Sequence, residues 1–217
     1  MSVDSVLTQT RCAAPKIYLV ITNISKRTNV RALLQTAAAF GCEKILVVGQ
    51  RSFDFSPTGK DLPKQLKAAV AAGSLKIVRF EKWNDCVTYL KEREILLVGV
   101  EIHEDAKPIE QFSCQDKQDV AFLMGNEGTG LHDKQLQSCD AFVRIPQYGG
   151  GTASLNVYVA ASIILHSFQN SPSCYVFYAS KARYHIKIFI TSYVSSNFVI
   201  LHLIIYYILF LTFAGLA

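Results

Sequence analysis

Two glycine-rich stretches carry the residue types best suited to chemistry. FLMGNEGTGL (122–131) sets the carboxylate of Glu127 among Gly125, Gly128 and Gly130. YGGGTASLN (148–156) sets a hydroxyl, Ser154, and an amide, Asn156, behind a run of glycines. A carboxylate, a hydroxyl and an amide together can accept a proton or hold a developing charge. Glycines let the backbone turn tightly and come close to a flat ligand. Each stretch follows an apolar run that reads as a strand, VAFLMG (120–125) and AFVRIP (141–146). The carboxyl ends of strands are where open α/β sheets place ligands. Upstream, the amide Asn29 opens NVRALLQTAAAFG (29–41), beside a basic cluster of Lys26, Arg27 and Arg31.

The second stretch also has nearly the spacing of a dinucleotide loop, with Gly149, Gly151 and Ser154 as G-x-G-x-x-S. Such a loop belongs after the first strand and needs an acid roughly 20 residues later for the ribose. Here it follows the last apparent strand, and no Asp or Glu comes after Asp140. A phosphate loop of the Walker type fails as well, because no Lys-Ser/Thr pair closes the run. Metal chemistry has no foothold either. The six cysteines are scattered without C-x-x-C or Cys/His clusters, and read as reduced thiols of an intracellular protein of the cytoplasm or nucleus, with no metal.

Each candidate also has a plainer reading. Ser154 caps the last helix, and a cap hydroxyl at a loop rim can face a ligand too. Asn156, one turn inside an apolar helix, is a buried amide in need of partners. Glu127 is a solvated loop carboxylate or a site residue, and Asn29 a helix N-cap or a site residue. Lys26, Arg27 and Arg31 are a solvated helix start or contacts to an RNA phosphate. His103, His132, His166 and Trp83 fit no catalytic pattern.

The elements that must position these groups alternate along the chain. KIYLVIT (16–22), KILVVG (44–49), LKIVRF (75–80) and ILLVGV (95–100) read as buried strands, joined by the two later runs. Helices are expected over 29–41, 63–73, 84–93 and 154–168, with a Pro- and Gly-bearing loop over 51–63. The pattern predicts an α/β fold with a mostly parallel sheet covered on both faces. Half of the 217 residues are apolar and 18% are charged, which excludes a mostly disordered chain. A net charge of +5 falls short of a non-specific nucleic-acid binder, and Lys181, Arg183 and Lys187 contribute to it from beyond residue 170. Residues 1–15 read as a loose leader and 16–169 as one domain. Beyond lies a hydrophobic tail, 170–217, whose last twenty residues (198–217) carry no formal charge. That length suits a membrane anchor, and the segment suits an aberrant C-terminus equally well.

FLMGNEGTGL and IPQYGGGTASLNVYVA, preceded by NVRALLQTAAAFG, resemble the three motifs of the SpoU-type (TrmH-like) RNA ribose 2′-O-methyltransferases over residues 16–168. The resemblance implies a C-terminal deep trefoil knot, a homodimer and a bound S-adenosylmethionine, with tRNA or rRNA as substrate. Carried over, the cofactor would lie against Leu123, Met124, Gly125, Asn126, Gly128, Ile145, Ser154, Leu155 and Asn156. The catalytic groups would be Asn29, Glu127, Ser154 and Asn156. One departure stands out: Gln35 occupies the position of the family's arginine, and it brings no charge and no five-donor fork. Arg31, one helical turn earlier, either reaches the same spot, or the chain is a catalytically weakened RNA-binding or scaffold member of the fold.

Overall fold

The computed structural model describes residues 15–113, 118–126, 128–149 and 154–170. The expected leader (1–14), Glu127, and the tail from residue 171 with its anchor segment lie outside the described residues. Seven strands and five α-helices alternate: β1 (Ile17–Thr22), α1 (Arg27–Ala39), β2 (Lys44–Val48), α2 (Lys64–Ala71), β3 (Ile77–Phe80), α3 (Trp83–Lys91) and β4 (Leu96–Val100). Then come β5 (Lys107–Pro108), a 3₁₀ turn (Ile109–Gln111), β6 (Val120–Met124), α4 (Asp133–Leu136), β7 (Ala141–Arg144) and α5 (Val157–Gln169).

The strands form one sheet in the order β3-β2-β1-β6-β4-β7-β5, and every pairing is parallel. The α/β fold with a parallel sheet is therefore as the alternation predicted. In β1 the side chains of Ile17, Leu19 and Ile21 enter one core, and those of Tyr18 and Val20 enter the other. This two-residue period, apolar on both faces, requires helices on both sides. Val30, Leu33, Leu34 and Ala37 of α1 cover the first face, beside Val157, Ala161, Ile164, Leu165 and Phe168 of α5. Their three- and four-residue spacing makes one apolar stripe on each helix. Cys86 and Leu90 of α3 cover the second face. Phe168 packs edge-on against Phe122 of β6 at 5.2 Å between ring centroids, which fixes α5 over the centre of the sheet.

Two helix starts differ from expectation. α1 begins at Arg27, with extended Lys26 as its N-cap, so Asn29 lies inside the first turn and is not the cap. α5 begins at Val157, and Asn156 is its cap, accepting a hydrogen bond from the Tyr158 N–H at 3.2 Å. Ser154 is thus not the cap, and Asn156 is exposed and not buried within a helix. A short amide closing on an N–H two residues ahead lets the helix start three residues later than the apolar pattern suggests. The short β5, the 3₁₀ turn and α4 carry no periodic pattern and were not anticipated.

Candidate active site

The glycine stretch after β6 is a closed ring. Asn126 and Gly130 exchange backbone hydrogen bonds of 3.1 and 2.9 Å. The Asn126 side chain fastens one arm. Its Nδ2 donates to the Asn23 carbonyl at 2.7 Å and to Ser25 Oγ at 3.2 Å, while its Oδ1 accepts from Gly128 N–H at 2.9 Å and Thr129 N–H at 3.3 Å. Glu101, just past β4, fastens the other arm: its Oε2 accepts the Leu131 N–H at 3.0 Å. Gly130 is in the left-handed region at φ +65°, and a Cβ there would stand 2.5 Å from that same carboxylate oxygen. Only glycine fits both the backbone and the space.

Beside the ring, the carboxyl ends of β4, β6 and β7 and the start of α5 enclose a pocket of about 280 Å³. Met124, Gly125, Asn126, Gly128, Ile145, Ser154 and Leu155 line it, so seven of the nine expected cofactor residues come together. Leu123 does not: its side chain is fully buried on the opposite sheet face with α3, as strand alternation demands one residue away from Met124. Asn156 lies next to the lining residue Leu155 but is not itself in the lining. Asn126 lines the pocket, yet its amide is fully engaged in holding the ring, so only its backbone faces a ligand.

Glu101, Arg144 and Gln147 line the pocket and were missed by sequence reasoning. A signal was present, because Glu101 directly follows the strand-end run ILLVGV. Arg144, counted as part of a strand, sits at its end and donates from Nε to the Ala106 carbonyl at 3.2 Å.

At the pocket's rim the fold joins residues 127 positions apart. Asn156 Nδ2 donates to Asn29 Oδ1 at 3.4 Å. The buried Asn29 in the first turn of α1 and the exposed Asn156 cap of α5 thus pair their amides, two residues from Ser154. Arg31 is not brought to this pair. Its Nε donates to the Asp61 carbonyl at 2.7 Å and its guanidinium lies 3.4 Å from the Asp61 carboxylate, which Arg27 also meets at 3.1 Å. The Asp61 side chain is 4% exposed and also accepts the Asp54 N–H at 3.1 Å. Lys26 and Gln35 are exposed.

Among the described residues thiol chemistry has no part here. Burial pushes Cys42, Cys86 and Cys139 up to about 12, so these thiols stay protonated and inert. Among the described residues no group of His, Cys, Asp and Glu could hold a metal ion. The lining fits a ligand with an aromatic body and a charged end: apolar walls from Val100, Ile145, Leu155 and Val157, glycine backbone, one acid and one base.

Known proteins share this sequence pattern and fold. The sequence model of the SpoU rRNA Methylase family matches residues 16–166. A 23S rRNA (guanosine-2′-O-)-methyltransferase of Acinetobacter baylyi is 30% identical over 151 residues, covering 69% of this chain and 58% of that protein. The corresponding protein of Bordetella pertussis is 28% identical over 152 residues, covering 70% and 58%. The chain therefore spans less than two thirds of the relatives it matches. Among solved structures, an RNA 2′-O ribose methyltransferase superposes with a TM-score of 0.58 at 25% identity, covering 76% of this chain and 59% of that one. A SpoU methyltransferase of Streptomyces viridochromogenes, solved with its cofactor AdoMet, shares the fold with a TM-score of 0.58 at 24% identity, covering 74% and 59%.

Proposed function

Because the chain belongs to the SpoU rRNA Methylase family, we propose that it methylates a ribose 2′-hydroxyl of structured RNA, tRNA or rRNA, using S-adenosylmethionine. The observation that carries this reading is the Asn29–Asn156 amide pair at the rim of the glycine-ring pocket. Three separated motifs meet there, and each brings a different element: α1, the ring after β6, and the cap of α5.

S-adenosylmethionine, when bound, supplies a methyl group on a positively charged sulfur. Met124, Gly125, Ile145, Ser154 and Leu155 are the residues that would hold it, through the pocket they line. A ribose hydroxyl is a weak nucleophile, so alignment and support of its developing negative charge are what the protein must add. The two amides are suited to this. Asn156 Oδ1 is occupied by the Tyr158 N–H and its Nδ2 points to Asn29, so the pair is held in one orientation before any substrate arrives. Ser154 is exposed at the same rim and free of the capping duty, leaving its hydroxyl for a ligand. Glu127, the carboxylate of the second motif, is the general base or polar anchor in this reading.

Lys26 and the half-exposed Arg27 and Arg31 are the proposed phosphate contacts. We further propose that the segment from β6 to α5 is threaded as a deep trefoil knot, supported by β6 lying between β1 and β4 and by α5 returning to α1. Two copies would pair through the α1/α5 side, where Tyr158 is an exposed aromatic. The relatives favour the enzyme over a scaffold.

The test is transfer of labelled methyl from S-adenosylmethionine to total RNA, followed by mapping of 2′-O-methyl sites missing from cells without the protein. A purified chain that binds the cofactor and labels RNA at a ribose supports the reading; RNA binding without cofactor binding overturns it.

A further inference from the structure

Glu101 is the acid among the described residues that line the pocket, and the proposed chemistry leaves it unused. Its Oε1 accepts the Ile102 N–H and its Oε2 the Leu131 N–H, both at 3.0 Å. The Glu101 N–H itself donates to the Val143 carbonyl at 3.1 Å. The side chain is therefore pinned between the end of β4 and the return arm of the ring, and it cannot swing out to solvent without opening that ring. Among the described lining residues it is the sole acid, against one base, Arg144. Among the described residues Glu101 takes part in no ion pair. A fixed carboxylate with no direct ion-pair partner thus faces a small cavity that Arg144 lines as well.

The cavity holds only about 280 Å³. A ligand in so small a space lies close to the carboxylate, where salt screens a charge only in part. The charge of Glu101 consequently acts on the ligand's net charge, whatever its exact pose. We propose that Glu101 is a specificity residue that makes the pocket favour the cationic methyl donor over the neutral product. This rests on the methyl-transfer reading. The donor carries a sulfonium, an ammonium and a carboxylate, for a net charge of +1. Once the C–S bond breaks and the methyl joins the ribose oxygen, which loses its proton, the sulfur is a neutral thioether and the net charge is zero. Glu101 attracts the donor and is nearly indifferent to the product. The same side chain that closes the ring thereby helps the spent cofactor leave.

The test compares binding of S-adenosylmethionine and S-adenosylhomocysteine by calorimetry, using the full chain, Glu101→Gln and Glu101→Ala. Gln keeps a carbonyl oxygen for the Leu131 N–H, removes the charge, and gives up the acceptor for the Ile102 N–H. Glu101→Gln is expected to lower the donor-to-product affinity ratio on the order of three- to tenfold, with product affinity changed by less than about twofold. Glu101→Ala, which frees the ring, is expected to weaken both ligands. A second measurement needs no variant: raising salt should lower the ratio in the wild type. Equal weakening of both ligands in Glu101→Gln, or a ratio unmoved by either the substitution or salt, overturns the specificity role and leaves methyl transfer standing. Failure of the wild type to bind either ligand overturns methyl transfer itself.

Discussion

Helix α1 has two working sides, and they serve different ends. On one, Asn29 meets Asn156 at the rim of the pocket. On the other, Arg27 and Arg31, four residues apart, meet the buried Asp61 of the β2–α2 loop. Residues two apart on an α-helix point roughly 160° away from each other, so Asn29 and Arg31 cannot share a target within one chain. In the proposed function the contrast separates chemistry from RNA grip on a single turn of helix. The amide side is tied to α5 and the pocket; the arginine side is tied to a loop and keeps about half of each guanidinium in solvent. Arg31 is therefore no substitute for a catalytic group beside Asn29. It is a surface cation, aimed and held by Asp61.

The most severe way to break this comparison is on the amide side. Asn29→Ala leaves Asn156 without its partner and removes a polar group from the proposed catalytic pair. Methyl transfer in single-turnover assays should fall by about 10²–10³, the usual loss for one preorganised donor or acceptor. Asn156→Ala should lose as much activity, and about 1 kcal/mol of stability besides, because it also uncaps α5. If thermal unfolding shows the loss of stability and activity stays within a few fold, the amide pair is only a cap and a helix contact.

On the arginine side the larger effect falls on stability. Asp61→Asn removes the charge that two guanidiniums share and leaves a nearly buried amide among their donors. A cost of about 1–3 kcal/mol is expected, or a drop of several degrees in Tm, with cofactor affinity unchanged. Arg31→Ala should act more gently. At saturating RNA its methyl-transfer rate should stay within about threefold of wild type, while RNA affinity falls and its salt dependence flattens by about one charge. A collapse of the rate at saturating RNA would place Arg31 in the chemistry and dissolve the division between the two sides.

Much of this frame was legible in the sequence because it rests on periodicity. The apolar runs of β1, β2, β4, β6 and β7 announce a parallel sheet, and the glycines after β6 announce a turn at a strand end. The ring itself was less legible. That Asn126 is a structural staple and Glu101 a pocket wall depends on contacts between residues 103 and 30 positions apart, Asn23 with Asn126 and Glu101 with Leu131. Helix starts were misjudged for a local reason: an extended Lys26 begins α1 early and the Asn156 amide begins α5 late, and neither alters the apolar stripe that the pattern reads. The motif pattern puts Arg31 one turn from the family's arginine position and on the same face, which is correct geometry. It does not reveal Asp61, which lies in a loop 30 residues on and captures that face.

The smallest effect, and the sharpest test of the division, concerns Gln35. This residue is exposed, two turns beyond Asn29 and roughly 9 Å further along the helix axis. It follows Arg31 by four residues and so shares the arginine side of α1. Restoring a guanidinium through Gln35→Arg would extend that side to three cations, with Asp61 already engaged by the first two. The new charge should therefore reach solvent and RNA, not the amide pair. We expect kcat/KM for RNA to rise about two- to threefold through a lower KM, with kcat and cofactor affinity unchanged. The split between the two constants carries the argument. A gain that comes only through a lower KM keeps Gln35 on the gripping side. A rise of about 10² in kcat would mean that a missing charge had been limiting the chemical step, and that the amide pair works only when this helix supplies a cation.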